Sequence, residues 1–283
     1  MTGLEISPLL GRAYFAALGL CVGSFLNVCI SRWPAGLSVV RPRSRCPKCE
    51  RPIGVLENIP VLSWVFLRAK CRGCGLPISI QYPAVELLVG IVWFLCAYRF
   101  GFSFTALRIA VFASFLIGIA ITDLKHYVIP DGFTITGLVW AMTSAIAALF
   151  INPVQAFNSP FASPYEALIG ACVGAGAISI IGWLGEASLK KEAMGFGDVT
   201  LMAFVGAVLG PGRSLLTIFL GAALGAAVFI LVVLPVTAFN RRGSEEPPKV
   251  PLVPFGVFLA PAAFIALIWG SGLIAWYQQI TGL

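Results

Sequence analysis

Two aspartates stand at the ends of apolar stretches. Asp123 closes one in Ile121-Thr122-Asp123-Leu124-Lys125-His126, and Asp198 opens another in Gly195-Phe196-Gly197-Asp198-Val199-Thr200. A carboxylate at a membrane segment is costly and usually functional. Two carboxylates that approach closely share one proton, because both cannot ionise side by side. The ionised partner can take a proton from water, and the protonated one can polarise a peptide carbonyl. That chemistry is aspartic proteolysis. Gly195 and Gly197 permit the sharp backbone and close approach that an extended substrate adding as a strand requires. Each aspartate also has a purely structural reading: Asp198 stands where a helix N-cap would, and Asp123 can pair with Lys125. Asp131 reads as the N-cap of the next helix, Glu192 as a partner of Lys190 and Lys191, and His126 as a solvated loop histidine.

Eight cysteines form two groups. Cys21, Cys29, Cys96 and Cys172 lie in apolar stretches and read as small buried packing residues. Cys46, Cys49, Cys71 and Cys74 form two C-x2-C pairs, CPKC and CRGC, with 21 residues between them. Four thiolates at this spacing point to one tetrahedral Zn2+. Pro47 stiffens the first turn, while Gly73 and Gly75 ease the second. Two disulfides are the rival, and a reducing compartment disfavours them. A closed shell of four thiolates is structural, and it stabilises a loop too small to fold on its own core.

The elements that carry these residues are membrane helices. Hydrophobic residues make up 59% of the 283 and charged residues 11%, against about 25% charged in soluble domains. Eight stretches have the character of helical spans: 11–30, 83–100, 104–122, 133–151, 165–184, 197–212, 214–239 and 253–277. The sixth is short and polar at its start. No segment alternates as barrel strands do. The first span lacks the basic n-region of a cleaved signal peptide. The expected fold is an all-α polytopic membrane protein of about eight transmembrane helices, with a zinc-ribbon-like loop between the first two.

Basic residues orient the bundle. With both termini outside, segments 31–82, 123–132, 185–196 and 240–252 face the cytoplasm and hold 15 of the 19 lysines and arginines, leaving Arg12, Arg99, Arg108 and Arg213. The positive-inside rule favours this orientation. Asp123, at the end of an inward-running span, and Asp198, at the start of an outward-running one, then share one depth near the cytoplasmic face. The net charge of +7 is accounted for by topology and the anionic bilayer surface. No basic soluble domain suggests nucleic acid.

The ordered set of motifs resembles the type IV prepilin peptidases, a family of bifunctional leader peptidases and N-methyltransferases. The resemblance covers nearly the whole chain: Gly23-Ser24-Phe25-Leu26-Asn27-Val28, the two cysteine pairs, Glu57-Asn58-Ile59-Pro60, Tyr82-Pro83-Ala84-Val85-Glu86, the Asp123 segment through Ile129-Pro130-Asp131, Met194-Gly195-Phe196-Gly197-Asp198, and Pro254-Phe255-Gly256. It implies Asp123 and Asp198 as the catalytic pair. It also implies cleavage of prepilin and pseudopilin leaders after a glycine at the cytoplasmic face of a bacterial inner membrane, serving a type IV pilus or type II secretion. Methylation of the new N-terminus with S-adenosylmethionine is implied as well. The chain divides accordingly into a first helix (1–30), a cytoplasmic four-cysteine zinc loop (31–82) and a helical peptidase core (83–283). Two positions depart from the family pattern: Thr200 stands where lysine is frequent, and Val257 follows Gly256 where the motif often reads PFGPF. The methyl donor has no glycine-rich strand-turn-helix signature, and by resemblance its site lies in the zinc loop.

Two other functions compete. An ion- or proton-coupled transporter could use the paired aspartates, but such sites favour the midplane and inverted repeats, and GxGD has no counterpart in the first half. A scaffold displaying a zinc ribbon leaves GxGD unexplained. The sequence does not indicate an oligomeric state.

Overall fold

The structure is a computed structural model that describes residues 8–151, 159–190, 194–240 and 253–282. Residues 152–158, Lys191, Glu192, Arg241, Arg242 and Lys249 lie outside them. The regular structure of the described residues is helical, apart from two isolated bridges, Arg45–Pro52 and Lys70–Pro77. In chain order the helices are α1 (Pro8–Arg32), α2 (Leu62–Phe66), α3 (Gln81–Phe100), α4 (Phe104–His126), α5 (Asp131–Ile151) and α6 (Pro164–Leu189). They are followed by α7 (Phe196–Leu209), α8 (Pro211–Val228), a π-helical turn (Phe229–Val233), α9 (Leu234–Asn240) and α10 (Gly256–Thr281).

Seven helical stretches among the described residues are long and apolar enough to cross a membrane. The segment expected at 197–212 becomes α7, whose 14 residues rise about 21 Å, short of the ~30 Å hydrocarbon core. The shortening comes from Gly210, which takes φ +81° and hands the chain to Pro211 at the first position of α8. Cys29 and Cys96 are buried as expected, but Cys21 and Cys172 are exposed. They lie on outward helix faces, which a bundle of this kind turns to lipid rather than to its core.

The chain forms two compact units, Met1–Gly118 and Ile119–Leu283. In the first, α1 and α3 run antiparallel at close range: a Cβ on Gly23 would lie 2.7 Å from the Glu86 Cα, and one on Gly90 2.7 Å from Leu20. Asn27 Nδ2 donates to the Tyr82 carbonyl at 3.0 Å. Glu86, buried on α3, accepts from the Val61 N–H at 2.7 Å. Val61 sits at φ +60°, ψ −51°, and the Leu62 N–H meets the Pro60 carbonyl at 2.6 Å. This is a γ-turn of the rare hand, held at its centre by the buried carboxylate. The motifs around Asn27, Pro60 and Glu86 thus converge on the junction between the first helices and the cysteine loop.

In the second unit, α6 and α7 run antiparallel along a glycine seam. A Cβ on Gly170 would lie 2.1 Å from the Gly206 carbonyl oxygen, one on Gly206 2.0 Å from that of Gly170, and one on Gly174 2.3 Å from that of Met202. Small residues four apart let two helix backbones touch, a packing mode typical of membrane helices. α5 packs parallel to α7, with Ile129 against Gly197 near their starts and Gly137 against the Phe204 ring further along. α8 returns antiparallel to α10, with Gly221 against Leu259 and Gly212 against Ile274. The far end of α7 is pinned where the Ala162 N–H meets the Val208 carbonyl at 2.9 Å and Arg213 Nε meets that of Leu209 at 2.9 Å.

The seam sets the position of α7. Gly206→Val is expected to lower stability by about 3 kcal/mol, as overpacking a tight contact does, read as a fall in the thermal midpoint in detergent. Gly176→Ala, where an added Cβ meets nothing within 4 Å, should cause no loss. Equal midpoints for Gly206→Val and wild type would contradict the seam.

Candidate active site and metal centre

Asp123 occupies the last turn of α4 and is buried. The helix stops four residues later at Tyr127, whose φ of +54° turns the chain while its N–H bonds the Asp123 carbonyl at 2.8 Å, a left-handed C-terminal cap. The short link through Ile129-Pro130 then starts α5. Because Ile129 packs on Gly197, this hairpin also fixes where α7 begins. A Cβ on Gly197 would lie 2.9 Å from that of Ile129, so only glycine allows the approach.

Asp198 is half-buried in the first turn of α7. The N-cap of that helix is Gly195, not Asp198, which corrects the capping expectation. The aspartate sits three residues on, its side chain accepting the Gly195 N–H, as an acidic residue there does in a capping box. A capping contact and a reactive carboxylate are compatible here, because the carboxylate also lies within electrostatic range of Asp123. The two aspartates singled out in the sequence therefore lie at the same end of the second unit, where Ile129 packs on Gly197 beside Asp198 and on Gly256 beside Asp123.

The start of α10 closes the site. The Val257 N–H donates to Asp123 Oδ2 at 3.2 Å, and the Gly256 N–H is a second donor. A Cβ on Gly256 would come within 2.7 Å of the same oxygen. In the sequence, Pro254-Phe255-Gly256 stands out only as part of a resemblance, since nothing in an apolar helix start advertises contact with a residue more than a hundred positions away. Proline at 257 would have no N–H to offer, so this departure from the family motif adds a donor to the site. Thr200 bonds the Gly197 carbonyl at 3.1 Å and brings no cation where the family often has lysine. His126 and Asp131 are exposed, His126 as the last residue of α4 and Asp131 as the first of α5, after Pro130. Glu192 lies outside the described residues.

In the first unit, Cys46, Cys49, Cys71 and Cys74 converge, with their sulfurs all within 4.8 Å of one another. The loop does this by building one turn twice, 25 residues apart. Cys46 N–H bonds Arg51 O and Glu50 N–H bonds Cys46 O in the first copy; Cys71 N–H bonds Leu76 O and Gly75 N–H bonds Cys71 O in the second. Glu50 (φ +54°) and Gly75 (φ +71°) occupy equivalent left-handed positions. The Cys46–Cys74 sulfur separation of 3.7 Å is far too long for a disulfide. It matches the ~3.8 Å edge of a tetrahedron with zinc–sulfur bonds of about 2.3 Å.

The N–H groups of Cys49 and Lys48 pull the Cys46 thiol down to about 6, so it is ready to bind metal as thiolate. At Cys74 the Leu76 N–H works in the same direction, but burial and hydrogen bonds with the other thiols leave it at about 11. Glu57 ties the two copies together, bonding Arg51 at 2.8 Å and Arg72 at 3.5 Å. The hydrogen bond and charge of Arg51 hold the Glu57 carboxyl below its ordinary value. A cavity of about 330 Å³ lies between the end of α1 and this loop, with Phe25 and Val28 on one side and Arg32 and Arg43 among its polar lining.

Comparisons with known proteins agree across the chain. Residues 17–100 match the bacterial peptidase A24 N-terminal domain, and residues 110–230 match the type IV leader peptidase family. A prepilin leader peptidase/N-methyltransferase of Stutzerimonas stutzeri is 35% identical over 303 aligned positions, covering 99% of this chain and 98% of that protein. One of Myxococcus xanthus is 44% identical over 230, covering 81% of this chain and 64% of that protein. One of Bacillus subtilis is 32% identical over 262, covering 93% and 96%. No solved structure matches the chain. Identity at this level along nearly the full length of two chains, with both family regions in order, establishes that this protein belongs to the type IV leader peptidase family.

Proposed function

We propose that this chain is a membrane aspartic endopeptidase that removes the leader from prepilins and pseudopilins, cutting after glycine at the cytoplasmic face, with Asp123 and Asp198 as its catalytic pair. The reading is supported by Ile129, which packs both on Gly197 beside Asp198 and on Gly256 beside the Asp123 carboxylate, in a chain whose curated relatives are named as leader peptidases. Those names leave the ion-coupled transporter without support. The protein is a multi-pass membrane protein; its eight-span count, outside termini and inner-membrane placement belong to this proposal, as does the division into 1–30, 31–82 and 83–283.

In the reaction, the ionised member of the pair takes a proton from water as the oxygen attacks the scissile carbonyl carbon. The protonated member hydrogen-bonds the carbonyl oxygen and stabilises the charge that develops there. Collapse of the tetrahedral species breaks the C–N bond, and the amine leaves with a proton from the pair. Gly195 and Gly197 keep the entrance to α7 free of side chains, so that an extended leader can lie against backbone. The substrate's own apolar helix stays in the bilayer, which is why the site belongs at its surface.

The four cysteines would hold a structural Zn2+, and their sulfur spacing fits it. Methylation of the new N-terminus is the second activity carried by the relatives' names, with S-adenosylmethionine as donor. No residue is assigned to it.

In liposomes with a full-length prepilin, wild type should cleave, while Asp123→Asn and Asp198→Asn should each lose at least about a thousandfold in kcat, the scale on which acid–base groups act, and still insert. Cleavage at wild-type rate by either variant would remove the pair from the mechanism. Metal analysis should find one zinc per chain. Cys46→Ser with Cys71→Ser should lower both zinc and folded yield, and zinc-free wild type of full stability would contradict the metal site. Mass spectrometry of the mature product should show one added methyl when donor is supplied; an unmodified product would restrict this chain to cleavage.

A further inference from the structure

The first turn of α10 presents donors that its own helix does not use. The N–H groups of Phe258 and Leu259 both reach the Phe255 carbonyl, at 3.0 and 3.1 Å. Those of Gly256 and Val257 come before the first intrahelical acceptor, as the leading N–H groups of any helix do. Both are directed at one buried carboxylate, Val257 at 3.2 Å from Asp123 Oδ2 and Gly256 as second donor. Space around them is tight: a Cβ on Gly256 would lie 2.7 Å from Oδ2, 3.3 Å from the carboxyl carbon and 2.9 Å from Ile129 Cδ1. An alanine there would have to push the carboxylate or Ile129 aside, and Ile129 is itself wedged against Gly197 at the start of α7.

We infer that Gly256 and Val257 are positioning residues for the reaction, the first leaving room for the Asp123 carboxylate at the start of α10 and the second holding it there and favouring its ionised form. The inference rests on the aspartic-peptidase reading above. Hydrogen bonds donated to a carboxylate stabilise its charged state, and the positive end of a helix acts in the same direction. Among the described residues, the other charges around Asp123 are few. On α7, Asp198 lies at the same end of the unit. Lys125 and His126 on α4, Asp131 on α5, and Glu186 and Lys190 at the end of α6 are exposed to solvent. α8 carries only Arg213, at the opposite end, and α9 and α10 carry no charge. Backbone donors are thus a local counterweight to negative charge in this apolar site.

Proline at 257 removes the donor and little else, because proline is tolerated in the first turn of a helix and the glycine before it accepts the restriction that proline imposes. The test is the pH profile of kcat/KM for prepilin cleavage by the full chain in liposomes, whose acidic limb reports ionisation of the aspartate pair as a unit. Loss of a donor to the ionised form raises the pH needed to reach it. Val257→Pro should move the acidic limb up by about one pH unit, the scale of one charge-assisted hydrogen bond. Val257→Ala keeps the N–H and should leave the limb at its wild-type position. Gly256→Ala should move the limb in the same direction as Val257→Pro and lower kcat about a hundredfold with KM nearly unchanged, as misplacing a reacting group does. An unshifted limb in Val257→Pro or Gly256→Ala, or an equal shift in Val257→Ala, overturns the inference while an inactive Asp123→Asn leaves the peptidase reading intact. An active Asp123→Asn removes both.

Discussion

A carboxylate at the edge of an apolar bundle must be paid for in hydrogen bonds, and the second unit is arranged around two of them. Asp123 and Asp198 are each served by the leading N–H groups of a helix, α10 for Asp123 and α7 for Asp198. Main-chain donors suit this task. They stabilise negative charge without adding a cation that would fix both carboxylates in the ionised state, and a shared proton is what aspartic catalysis needs.

That constraint explains the packing around the site. For two helix starts to point at one place, α7 and α10 must both begin beside the end of α4. The α4–α5 hairpin delivers Asp123 and Ile129 together, and parallel packing of α5 on α7 places Gly197 on Ile129. The glycine seam of α6 holds α7 at backbone distance. α8 returns the chain so that α10 begins at the level of Asp123. The glycines at 170, 197, 206 and 256 are points where a side chain would separate elements that must touch. On the proposed mechanism they act through distance rather than through chemistry of their own.

The helices were legible in the sequence because an apolar run long enough to span is a strong and local signal. Seven of the eight expected stretches each fall on one helix, with ends displaced by a few residues, and 214–239 runs through α8, the π-helical turn and α9. The sixth is shorter than its apolar run, since Gly210-Pro211 breaks the helix within it. The two reactive candidates were legible because charge is rare in such a chain. The cysteine loop was legible from ligand spacing alone, although its repeated turn was hidden: Glu50 and Gly75 share a conformation without sharing a residue type. The contacts that hold the site were not legible. The Gly170 and Gly174 spacing was not read as a packing seam, and its partner at Gly206 depends on a register no single segment encodes. Gly256 and Val257 meet Asp123 across 133 and 134 positions of chain. Val61, a β-branched residue in a γ-turn, is stable only because Glu86 reaches its N–H, and no local rule anticipates that.

The central claim is that Asp123 and Asp198 form one site in the membrane. The most direct measurement is cross-linking of Asp123→Cys with Asp198→Cys in native bilayers, using a short bifunctional thiol reagent and a chain in which the exposed Cys21 and Cys172 are serine. The account predicts an intramolecular bridge that forms rapidly in the double variant, is absent from either single variant, and is slowed by bound prepilin. Failure of the two thiols to bridge, in protein that inserts and folds, would mean that the carboxylates do not meet and that the proposed chemistry has no site.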